Sequence, residues 1–135
     1  MKEMEYKEIM DEVVLLYNSI YKGYHYYIIS YGTHPCAYVE IPKRNKLYNL
    51  GYIEIEDNYN IKVHGGFTYA REKLRISDST VMANSWFLGW DYAHISDFQG
   101  YFGKHDFLNE GCKKWTTSEI DFECRNVIDQ LVLYE

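Results

Sequence analysis

Tyr24–Ile41 reads YHYYIISYGTHPCAYVEI, and this stretch decides the fold class. Its first eight residues, Tyr24–Tyr31, are mostly aromatic or β-branched, the types that suit an extended strand. Gly32-Thr33-His34-Pro35 is turn chemistry, and Cys36–Ile41 is a second strand that Pro42 stops. Tyrosines fall on both faces of YHYYIISY, so at least one set is expected to be partly exposed.

Strand patterns continue downstream. Lys43–Leu50 is a polar loop with the densest positive cluster in the chain. Tyr52–Glu56 (YIEIE) alternates strictly and predicts a half-buried strand. Asp57–Asn60 is a turn, and Ile61–His64 is a strand running into Gly65-Gly66, with Phe67–Ala70 resuming it. Arg71–Thr80 reads as polar loop. Ser85–Trp90 (SWFLGW) is a continuous apolar run, expected to be a buried strand, and residues 91–105 are loop.

Helical spacing marks the two ends. Ile9, Val13, Leu16, Tyr17 and Ile20 predict an amphipathic helix over residues 3–20, closed by Lys22-Gly23. Thr116 with Glu119 fits a capping box, and Ile120, Cys124, Val127, Ile128 and Leu131 follow on one helical face. The order helix, strands, helix lacks βαβ alternation. It predicts one α+β domain over residues 1–135, a mostly antiparallel twisted sheet of four to six strands flanked by an N-terminal and a C-terminal helix.

Composition narrows the function classes. With 135 residues the chain is long enough for one domain with its own core. A net charge of −6 and a pI near 5.3 argue against direct nucleic-acid or anionic-membrane binding. No apolar run reaches the length of a membrane span, and no secretory leader is evident. Three cysteines, Cys36, Cys112 and Cys124, show no zinc spacing and do not suggest a disulfide framework, so a reducing cytoplasm is expected. The 15 tyrosines are weak evidence of a stacking surface, because A/T-rich codons enrich Tyr together with Ile, Lys and Asn.

Two segments carry candidate chemistry. In Val63–Tyr69 (VHGGFTY) a glycine pair after a strand permits positive φ and close approach of a ligand, and its amides could form an anion nest. His64 and Thr68 would add side-chain donors there. The second segment is Trp86–Asp97 (WFLGWDYAHISD), where a buried strand delivers Asp91, His94 and Asp97 at intervals of three into a loop. Such a group can bind a divalent metal, hydrogen-bond a polar ligand or do acid–base work. His34 is a further candidate at a pocket rim. The ligand-binding set is thus His34, His64, Gly65, Gly66, Thr68, Asp91, His94 and Asp97, with no catalytic residue, metal ligand or cofactor assigned. A separation of His64 and His94 beyond about 10 Å would exclude a composite site. The bland alternative is that both segments only specify the fold.

Taken together, GTHPCAYVEIP, VHGGFTY and WFLGWDYAHISD, followed by the C-terminal helix, resemble a family of small bacteriophage and prophage proteins. That family carries HGGxTY and WxGxDxAHxxD motifs, and the resemblance covers roughly residues 23–133. His34, Cys36, His64, Gly65, Gly66, Thr68, Trp86, Gly89, Asp91, His94 and Asp97 match by position. The chain departs at Ala37, Trp90 and Ser96, where the pattern has Gly, Phe and Gly. The resemblance implies a non-enzymatic binding protein in the host cytosol that inhibits a host defence system, in the manner of anti-CRISPR proteins. Its partner would be a host protein effector, including one that itself binds nucleic acid. One alternative is a sponge that binds a small signalling nucleotide, and another is a small hydrolase with a His/Asp site. A homodimer is the oligomeric state this reading allows.

Overall fold

The computed structural model describes residues 13–32, 34–94, 97 and 113–135. In chain order its elements are β1 (Val14–Tyr21), β2 (Tyr24–Ser30), β3 (Pro35–Glu40), α1 (Tyr52–Asn58), β4 (Tyr69–Arg71), β5 (Leu74–Arg75), β6 (Val81–Met82), β7 (Phe87–Asp91) and α2 (Thr117–Leu131). Five strands form one sheet in the order β1-β2-β3-β7-β4, with every neighbouring pair antiparallel. A short β5–β6 ribbon stands apart from it. The fold is α+β, as the order of patterns predicts. Among the described residues no helix is long and apolar enough to cross a membrane.

The sheet is buried on both faces. Tyr24, Tyr26 and Ile28 of β2, Ala37 and Val39 of β3, and Leu88 and Trp90 of β7 face α2. That helix answers with Ile120, Cys124, Val127, Ile128 and Leu131, all buried, so its predicted apolar stripe is the one it uses. The opposite face carries Tyr27, Ile29, Cys36, Tyr38 and Phe87, packed with Val13 and with Leu74 of the ribbon. Of the tyrosines of YHYYIISY, Tyr24 and Tyr26 are 0% exposed and Tyr27 is 8% exposed, so the partly exposed set narrows to Tyr31. β2 is covered on both sides over most of its length, and only His25 and Ser30 in it reach solvent.

Four segments differ from the sequence reading, the first being Arg71–Thr80, read as polar loop, in which Leu74–Arg75 form β5 and Leu74 is buried. Residues 14–20 of the expected N-terminal helix belong to strand β1, and residues 3–12 of it lie outside the described part. β1 is an edge strand whose register shifts between Leu15 and Tyr17, a bulge that breaks the period-two pattern. Its apolar residues then fall at intervals that imitate a helix. Lys22 and Gly23, both at positive φ (51° and 81°), make the tight hairpin turn to β2 rather than a helix cap. Tyr52–Asn58, predicted to be a strand over its first five residues, is the short helix α1, which buries only Ile55. Ile61–His64 is not a strand either. The backbone of Lys62 bonds instead to the Gln130 side chain, its N–H to Oε1 and its carbonyl from Nε2, both at 2.7 Å. A side-chain amide thus stands in for the missing neighbour strand.

The Lys43–Leu50 loop is anchored by Asn45, which is 2% exposed. Its Nδ2 donates to Tyr24 Oη at 2.9 Å and to the Leu131 carbonyl at 2.8 Å, and its Oδ1 accepts from the Leu47 amide at 2.9 Å. This one side chain ties the loop to β2 and to the end of α2. Asn45→Ala leaves buried groups unpaired and is expected to lower stability by about 2–4 kcal/mol. Urea unfolding measures this, and a loss below about 0.5 kcal/mol would contradict the assignment.

Candidate functional site

Four segments meet beyond the C-terminal end of β7. Register pairing sets Asp91, the last residue of β7, opposite Cys36 of β3. The Tyr92 amide bonds to the Pro35 carbonyl at 3.1 Å, which brings the His34 turn alongside. On the other flank β4 pairs with β7, and the Thr68 amide bonds to the Gly89 carbonyl at 2.9 Å. The HGG turn is therefore held beside the loop that follows Asp91. The fourth segment is the entry to α2, which supplies Trp115.

Asp97 lies at the middle of this junction and is 2% exposed. His64 Nε2 lies 3.1 Å from Oδ1 and 2.9 Å from Oδ2. Trp115 Nε1 donates to Oδ1 at 2.8 Å, and the His94 amide donates to Oδ2 at 3.1 Å. Burial alone would push the carboxyl pKa up. The hydrogen bonds from His64, the His94 amide and Trp115 outweigh it and hold the pKa below the ordinary aspartate value.

The His64 ring is clamped. It stacks on Tyr92 at 4.6 Å and 12°, and meets the Trp115 ring near edge-on at 4.9 Å. Tyr92 is fully buried and its hydroxyl accepts from Trp90 Nε1 at 3.1 Å, so the apolar strand supports the imidazole directly. Glu123 on α2 faces His64 as well; burial raises its pKa, and the His64 charge and amide partly offset this.

His94 stands next to it, its ring centroid 5.5 Å from that of His64. The two histidines form one site, well within shared-ligand reach. His94 Nε2 lies 3.3 Å from Asp91 Oδ1, yet the contact is not aligned as a hydrogen bond and the buried nitrogen has no hydrogen-bond partner. Asp91 is itself held by Thr68 Oγ1, which donates to Oδ2 at 3.2 Å, and by the Ala93 amide at 3.2 Å to Oδ1. His34 belongs to the same neighbourhood. Burial lowers its pKa, Asp91 and Asp97 pull it back up, and His94 pushes it down.

Two amides of the expected anion nest already have backbone partners. The Gly66 amide is bonded to the Val63 carbonyl at 3.0 Å, and the Thr68 amide is bonded to Gly89. Neither is left to grip a phosphate. Gly65 is needed for room: a Cβ there would lie 1.9 Å from His94 Nε2, and its φ is +68°. Gly66 has φ +79° but open space where a Cβ would be. The close approach expected of this turn is made by the protein's own histidine.

Of the eight candidate residues, the structure thus gathers His34, His64, Gly65, Thr68, Asp91, His94 and Asp97, and leaves Gly66 as a turn residue. Trp115 and Tyr92 complete the centre and were not among the candidates. Trp115 adjoins the Thr116 cap, and that adjacency is the one signal in the sequence that ties it to a fixed helix end. Among the described residues, Cys36 is the cysteine beside this centre; it is buried and free, and burial pushes its pKa up to about 12. In comparisons with protein-family models, curated proteins and solved structures, no match was found.

The two glycines give a direct check on this packing. Gly66→Ala adds only left-handed strain, about 1–2 kcal/mol. Gly65→Ala adds the same strain and also displaces His94, so its loss is expected to be larger by about 1–3 kcal/mol. Equal losses in urea unfolding would contradict the contact.

Proposed function

We propose that the protein works through this centre as a small hydrolase, with His64 as general base, Asp97 as its orienting carboxylate and His94 as the second proton-handling group. The observation that carries this reading is the His64–Asp97 contact at 2.9 and 3.1 Å, on a ring clamped by Tyr92 and Trp115. A carboxylate on one ring nitrogen fixes the tautomer and leaves the lone pair on the other nitrogen to take a proton. At 24% side-chain exposure the imidazole is held firmly and still reached from solvent. Hydrolysis of p-nitrophenyl esters, phosphodiesters and nucleotides by the purified chain tests this. Activity that falls at least about 100-fold in His64→Ala and in His94→Ala supports it. Activity unchanged in His64→Ala, or none with any of these substrates, contradicts it.

A second reading keeps the counter-defence role that the motif resemblance implies, a non-enzymatic binder of a host protein effector. The net charge of −6 favours a partner with a basic groove. Co-elution with such an effector, lost on charge reversal of exposed acidic residues, separates this reading from the hydrolase. The nucleotide sponge is less favoured, because the Gly66 and Thr68 amides are already bonded and Asp91, Asp97 and Glu123 all face the centre.

A further inference from the structure

The donor set at this centre is that of a cation site. His64, His94 and Asp97 each offer one ligand atom, and the three atoms lie within 4.8 Å of one another. We propose that these three residues hold a divalent transition-metal ion of the zinc or cobalt type. Two imidazoles and one carboxylate, with further coordination positions left for water or substrate, are a recurrent ligand set for such ions. Bonds of about 2.0–2.2 Å place tetrahedral ligand atoms about 3.4 Å apart. His64 Nε2 and the Asp97 oxygens already lie 2.9 and 3.1 Å apart, and no pair in the trio is more than 4.8 Å apart.

Three further observations support the assignment. His94 Nε2 is buried without a hydrogen-bond partner. A buried polar atom left in that state is costly, and a metal ion satisfies it. Gly65 admits the His94 ring to this position beside His64, since any Cβ there would overlap that same nitrogen. The ligands are also supported from behind. Trp115 and the His94 amide orient Asp97, and Asp91, fixed by Thr68 and the Ala93 amide, adds a second negative charge beside His94. The carboxylates of Asp91 and Asp97 attract a cation and repel an anion. The ion would replace the proton that His64 shares with Asp97, while the Trp115 and backbone contacts remain; in the loaded protein His64 would then be a ligand and not the general base.

The inference rests on reading this centre as the functional site, but its readout is metal occupancy, not turnover. The full chain, freed of metal by chelator and dialysed against Zn²⁺ or Co²⁺, is expected to retain one equivalent. Bound Co²⁺ should show the visible absorption of a protein-ligated ion. His94→Gln and Asp97→Asn should each weaken binding by at least about ten-fold, while His25→Ala, on β2 and exposed, should not change it. Circular dichroism checks that the variants are folded. If they are not, the wild-type stoichiometry and Co²⁺ spectrum decide the question alone. No stoichiometric binding by the wild type, or binding unchanged in folded His94→Gln and Asp97→Asn, overturns the proposal. Binding without hydrolysis leaves the metal site standing and removes the hydrolase reading. Hydrolysis by metal-free protein that takes up no ion does the reverse.

Discussion

The carboxylate of Asp97 is the constraint on which the rest of this structure depends. A buried charge is tolerated only when it is fully hydrogen-bonded. Asp97 obtains its partners from three different parts of the chain: the His64 side chain, the His94 amide and the Trp115 indole. Each partner fixes a loop that has little regular structure of its own. The HGG turn, the loop after β7 and the entry to α2 are held at one point by a single side chain. The same constraint aligns the His64 ring and places His94 beside it. Fold closure and site geometry are one arrangement here.

That coupling explains why the aromatic residues matter. Trp90, Tyr92, His64 and Trp115 form a continuous series from the sheet core to the centre, through one hydrogen bond and three ring contacts. Tyr38 on β3 does comparable work on the other face. A Cβ at Gly89 would lie 2.4 Å from the Tyr38 ring, so glycine there admits the ring, which then meets Tyr69 edge-on at 5.1 Å. Most of the tyrosines of β2 and β3 are therefore core residues, with hydroxyls bonded at the margins. Tyr24 donates to Glu135 at 2.6 Å, Tyr26 to Asp121, and Tyr31 pairs with Tyr38.

The sequence was most readable where local signals and packing agree. The capping box of Thr116 and Glu119 and the five-residue apolar face of α2 appear as expected, because helix period, cap and burial all point the same way. It was least readable where a segment buries little. β1 lies at a sheet edge with a bulge, and α1 buries one residue, so their apolar spacing reflects chance more than packing. At the site, the residue types and their convergence were legible from VHGGFTY and WFLGWDYAHISD. What was not legible was the use made of Gly65. Only the three-dimensional approach of His94 reveals why that position carries no side chain.

The central claim is that His64 and Asp97 form a fixed pair that holds the centre together. Long-range ¹H–¹⁵N NMR of the histidine side chains tests it most directly, because it reports which ring nitrogen carries the proton. For metal-free protein near neutral pH the account predicts a proton on His64 Nε2, shifted downfield by the Asp97 carboxylate, with nuclear Overhauser contacts to Tyr92 and Trp115. Asp97→Asn should remove that shift. A freely exchanging His64 ring with mixed tautomers and no contact to either aromatic would contradict the account.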